Sequence, residues 1–243
     1  MTRTLATTRP PRTPLRARTL VALTLAPTLN VLRFIPLTRR TQAVIAELLS
    51  QAIAAGMDLP EACDIASQTV RGFRPSRYLR NASRHARAGE TLAESLERAG
   101  MSVHPDLRAA MEIGEERGRL DAELAAAARR LDPLIDYRLG RAIRRRDAVR
   151  AFATSLSRLL ADHPLTVHLV EDAARLVGPR DRRFRRAAAQ LADDIESGHP
   201  FDTSLAAQPK IFDPLFVQCV AHADTRDAMR RVLSRLGGGV PPV

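Results

Sequence analysis

The side chains able to carry chemistry in this 243-residue chain are six histidines, two cysteines, a short carboxylate run and several arginine clusters. His85, His104, His163, His168, His199 and His222 stand apart from one another. None has the HExxH or paired Cys/His spacing that converges nitrogen and sulfur ligands on a metal. They are expected at the surface or at helix ends. Cys63 and Cys219 lack a CxxC partner and fall in apolar helical patterns, so they read as small buried hydrophobes with free thiols. Cys219 and His222 are three residues apart, on one helix face, but no third group is placed to orient the pair as a nucleophile and its base. No enzyme activity, metal or cofactor is expected. Arg141, Arg144, Arg145 and Arg146 form one basic cluster, and Arg180, Arg182, Arg183, Arg185 and Arg186 a second. They read either as solvated faces or as contacts for anionic lipid or nucleic acid. No DNA-reading motif or aromatic stacking platform accompanies them.

The elements that position these residues are helical by composition. Apolar residues make up 45 % of the chain and aromatics only 4 %, with Ala and Leu dominant. That balance favours helix over sheet. The net charge is +11, and Lys210 is the only lysine. Residues 1–40 carry Arg3, Arg9, Arg12, Arg16, Arg18, Arg33, Arg39 and Arg40 and no acid, so the rest of the chain is only mildly basic. The stretch 1–38, rich in Pro, Thr and Arg, is expected to be a basic, poorly ordered arm. Its most apolar part, Thr19–Leu32, is shorter than the roughly 20 residues of a spanning helix and contains Pro27 and Asn30. Weak contact with a membrane surface, or a cleaved signal, are the other readings of that part.

From Thr38 the apolar spacing turns helical. Val44, Ile45, Leu48, Leu49, Ala52 and Ile53 line a face that Gly56 ends. Further helices are expected over about 59–70, 76–88, 91–98, 105–116 and 120–131, with Gly72-Phe73-Arg74-Pro75 as a break. Thr91 and Glu94 have capping-box spacing. Residues 132–147 read as a charged linker or helix extension. The order then repeats, with helices near 152–160, 167–177, 182–195, 201–205, 214–223 and 226–236, and a Gly/Pro tail over 237–243. Ser50-Gln-Ala-Ile-Ala aligns with Ser157-Arg-Leu-Leu-Ala, and Gly89-Glu-Thr-Leu-Ala-Glu-Ser-Leu with Gly198-His-Pro-Phe-Asp-Thr-Ser-Leu. The expected fold is all-α, with two tandem six-helix-bundle modules, 39–131 and 148–236, related by internal duplication. Chance likeness between two Ala/Leu-rich bundles is the competing reading.

Three motifs carry a resemblance to a known family. They are Ala55-Gly56-Met57-Asp58-Leu59-Pro60-Glu61-Ala62, the mid-domain helix Gly89-Glu90-Thr91-Leu92-Ala93-Glu94-Ser95-Leu96, and the turn Gly114-Glu115-Glu116-Arg117-Gly118-Arg119-Leu120. In this order they resemble the F-domain of type II secretion system and type IV pilus assembly-platform proteins, well over 39–131 and loosely over 148–236. The second copy departs from the pattern, with His222-Ala223 where the first has Gly114-Glu115, and Arg226 for Gly118. The family's membrane helices have no counterpart in the charged join at 132–147.

The resemblance implies a non-enzymatic scaffold beside an inner membrane, on its cytoplasmic side. Implied partners are a secretion ATPase or other platform components, with self-association and peripheral contact with anionic membrane as further prospects. A basic protein that binds nucleic acid or membrane through its arm and arginine clusters is the alternative. Gly114, Glu115, Glu116, Gly118 and Leu120 have three readings. They are structural, with Gly114 for close packing, Glu115 facing solvent or capping a helix, Gly118 as a C-cap and Leu120 in the core; or they touch a partner or a symmetry-related copy; or Glu112, Glu115 and Glu116 hold a cation.

Overall fold

The computed structural model describes residues 36–143, 147–177 and 181–238. Most of the expected arm, Arg144, Arg145, Arg146, Arg180 and the last five residues lie outside that range. The described residues form thirteen α-helices and no strand. The first six are α1 (Arg39–Ala54), α2 (Leu59–Thr69), α3 (Phe73–Arg87), α4 (Leu92–Arg98), α5 (Pro105–Glu116) and α6 (Leu120–Leu131). Then come α7 (Ile135–Ile143), α8 (Asp147–Leu159), α9 (Val167–Leu176), α10 (Arg182–Glu196), α11 (Phe201–Ala206), α12 (Pro214–Ala221) and α13 (Arg226–Leu236).

Most helices begin where a short polar side chain meets a free backbone N–H. The Thr38, Asp58, Thr91, Thr166, Asp181, Asp213 and Thr225 side chains each accept from an N–H of the following turn. Thr91 and Glu94 close the expected capping box. One boundary differs from the sequence expectation. Gly72-Phe73-Arg74-Pro75 does not break the chain before a helix at Ser76; α3 already starts at Phe73, with Gly72 as its N-cap. Pro75 falls in the first turn, where an N–H has no intrahelical acceptor, so its ring costs no hydrogen bond.

Helices α1 to α6 pack in chain order, each on the next, and α6 returns to α1. The set α8 to α13 repeats this arrangement, with α13 returning to α8. The cores differ in material. Ala, Leu, Ile and Met fill the first, whereas Phe152, Phe184, Phe212 and Phe216 anchor the second. Their ring centroids lie 5.5 Å apart for Phe152–Phe184, 6.4 Å for Phe152–Phe212 and 5.3 Å for Phe212–Phe216. These tilted contacts add to the burial energy of each ring.

The stretch between the two sets is a helix in its own right. Helix α7 buries Ile135, Leu139 and Ile143 and packs on α1. Its start is fixed by the buried Asp132, which accepts 2.8 and 2.9 Å bonds from Arg138 Nη1 and one of 3.1 Å from Leu134 N–H. Burial works against that carboxylate. The Arg138 bonds and the Leu134 N–H outweigh it and hold Asp132 below its ordinary range. Helix α12 rests on α1 and α2, and α13 on α1. Residues 37–243 accordingly form one compact unit around one continuous apolar cluster.

Candidate functional site

The glycine-glutamate turn is the junction of α5 with α6. A Cβ added to Gly114 would lie 2.7 Å from Leu120 Cα, a distance no side chain tolerates, so the bare glycine brings the two helices together. Glu115 turns inward, and its Oε1 accepts a 2.6 Å hydrogen bond from the Leu92 N–H at the start of α4. Gly118 ends α5 at φ +61, a left-handed conformation that a Cβ disfavours. Arg119 N–H then reaches Gly114 O at 2.9 Å and Gly118 N–H reaches Glu115 O at 3.3 Å, the double closure of a Schellman motif. Leu120 is buried. Each of these four residues therefore has a bond or contact inside the fold. What the corner offers to solvent is Glu112, Ile113, Glu116, Arg117 and Arg119.

The other two motifs serve the same corner. Gly89 ends α3 with the same closure, and Leu92, fully buried, supplies the N–H that Glu115 takes up. Gly56 ends α1 likewise. Asp58 Oδ1 accepts from Glu61 N–H at 2.8 Å to start α2, Leu59 is its half-buried first residue, and Ala62 is fully buried. The Glu61 side chain meets His222 Nε2 at 3.2 Å, while His222 Nδ1 lies 3.0 Å from Gln218 O. His222, at the end of α12, thus faces the first half of the unit. Helix α11 has no side-chain cap at Pro200.

The remaining candidates are dispersed. Cys63 is buried and its thiol is pushed up to about 12, first by burial and then by Asp64 and Asp58. Cys219 is buried and its Sγ is directed at Gln51 O, 3.7 Å away, rather than at His222. Glu112 and Glu116 point outward while Glu115 points inward, and no group of three His, Cys, Asp or Glu could hold a metal among the described residues. Arg182, Arg183, Arg185 and Arg186 are exposed on α10; the structure does not describe the side chain of Arg141.

One cluster was not signalled in the sequence. On the seam between the halves, Arg235 Nη1 donates to Asp121 Oδ2 at 3.1 Å and to Ser50 O at 3.5 Å, and Ser50 Oγ donates to Asp121 O at 2.8 Å. Beside it Glu47 is buried. Its Oε1 accepts a 3.0 Å bond from Gln51 Nε2, and its Oε2 has no hydrogen-bond partner. Burial raises the Glu47 carboxyl above its ordinary range, although Gln51 and the nearby Arg129 and Arg235 oppose the shift. Only an internal apolar pattern marked this place, because a buried Glu on the apolar face of α1 looks like any other polar position.

Fold and corner together define a helical protein whose marked turns hold helices to one another. The family model for the type II secretion system (T2SS), protein F, matches residues 45–157, a little under half of the chain. The match runs through α7 into α8. No curated protein matches the chain. Among the described residues no helix is long and apolar enough to cross a membrane.

Proposed function

We propose that this chain is a non-enzymatic scaffold that binds other components of a type II secretion or type IV pilus platform, a secretion ATPase among them. The match to the protein F family model over 45–157 carries this reading. The two helix sets are a duplicated module. Support comes from the equal helix order, the matching ring of contacts, and equivalent closures at Gly89 and Gly198. The first copy presents the partner surface at the α5–α6 corner. Glu116 makes the contact, and Gly114, Glu115, Gly118 and Leu120 keep the corner in shape. The second copy has turned the equivalent position, His222, inward onto Glu61.

Affinity capture of the tagged chain from its native cell tests this. Recovery of a secretion ATPase or platform component is expected, with weaker recovery by Glu116→Arg at unchanged thermal stability. Repeated capture of neither would refute the scaffold reading. Equal capture by wild type and variant would move the contact away from the corner.

A further inference from the structure

At the end of the unit where α1 begins, three separate segments meet around one open groove of about 270 Å³. Arg40, Thr41 and Val44 come from α1, Val70 and Arg71 from the α2–α3 turn, and Asp132 and Arg138 from the start of α7. The groove floor is apolar, since Val44 and Val70 are buried beneath it. Its rim is basic. Asp132, the one acid lining it, is buried and held by Arg138. Beside this rim stand three of the most exposed large apolar side chains of the described residues. Phe73, two residues after Arg71, is 78 % exposed; Leu134, just before α7, and Tyr137, next to Arg138 on α7, are 54 % and 68 % exposed.

Apolar side chains held in water beside guanidinium groups have a cost that a lipid headgroup region relieves. The rings and the leucine enter the acyl boundary, and the arginines meet phosphates while their stems lie along apolar surface. A soluble anion would satisfy the arginines and leave the three apolar residues in water. An anionic bilayer satisfies both. We propose that the groove rim, with Phe73, Leu134 and Tyr137, docks the chain peripherally on a membrane containing anionic lipid. This surface is distinct from the α5–α6 corner and from the arginines of α10, and it stands independently of the scaffold reading.

The test is co-sedimentation of the full chain with vesicles. One set is phosphatidylcholine alone and the other equal parts of phosphatidylcholine and phosphatidylglycerol. Binding at least tenfold stronger to the mixed vesicles is expected, and Arg40→Gln should weaken it about fivefold. The triple variant Phe73→Ser, Leu134→Ser, Tyr137→Ser keeps the net charge and alters only exposed positions. It should lose roughly tenfold or more, with helicity by circular dichroism unchanged. Binding by the triple variant equal to wild type would assign attraction to the arm alone and overturn the proposal. Equal binding to both vesicle types would overturn it too. So would vesicle binding that is absent while the wild type, but not the triple variant, captures a protein from membrane-free extract. A fluorophore on Tyr137→Cys gives an independent reading: a blue shift on adding mixed vesicles is expected, and an unchanged spectrum counts against docking.

Discussion

Gly114 and Glu115 are adjacent and serve different ends, which separate variants can tell apart. Gly114→Ala puts a methyl group against the Leu120 backbone and should cost about 1–3 kcal/mol by overpacking. Glu115→Ala leaves the Leu92 N–H without its carboxylate and should cost about 1–2 kcal/mol, tempered by the partial exposure of Glu115. Urea denaturation measures both; a neutral Gly114→Ala would remove the packing explanation. Glu47 gives a pH-dependent case. Its raised native pKa means the folded chain binds that proton more tightly than the unfolded chain does. Its contribution is therefore complete below about 4.3, the ordinary Glu value, and is lost as pH rises through the raised native value. Glu47→Gln should raise the melting temperature at pH about 8 and leave it nearly unchanged at pH about 4, because neutral Gln mimics the protonated acid. An equal gain at both pH values would mean that charge is not the cause.

Helix ends show what the sequence discloses at the scale of an element. Thr91→Ala, which removes the cap of a seven-residue helix, should cost about 1 kcal/mol and speed amide exchange in α4 more than in α5. Stops and starts of this kind were legible because cap and closure are local: Thr91 with Glu94, and Gly56 after α1. The all-helical fold followed from them. The start of α3 at Phe73 was not legible, because a proline signals a break or a first turn with equal force until the preceding Gly72 is seen as the cap. The independence of α7 was hidden for a different reason. Its charges left a linker and a helix extension both open, and the pair of buried Asp132 with half-buried Arg138 that anchors it joins residues whose types alone suggest solvent. The three turn motifs were readable as motifs, but Glu115 to Leu92 and His222 to Glu61 join residues 23 and 161 apart and needed the packed structure.

The whole unit has one continuous core although its halves are built from different side chains. Phe152 lies at the centre of the second half's aromatic cluster, and Phe152→Ala should cost about 3–5 kcal/mol. The loss should appear throughout the molecule. The buried Tyr78 of α3 and the far-ultraviolet signal should report one coincident transition, shifted together by the variant. Two separated transitions, with Tyr78 unaffected, would mean that the seam formed by Arg235, Asp121 and Ser50 couples the halves only weakly.

The Glu115–Leu92 tie also limits how the chain can change in length. It fixes both ends of a 23-residue interval, and Gln42 pins the middle by donating to Ser102 O and accepting from His104 N–H. An added Gly-Ser pair between 99 and 104 should strain one of these bonds and lower the melting temperature. The exposed turn at 161–164 has no such clamp and should take the same insertion without loss of folding.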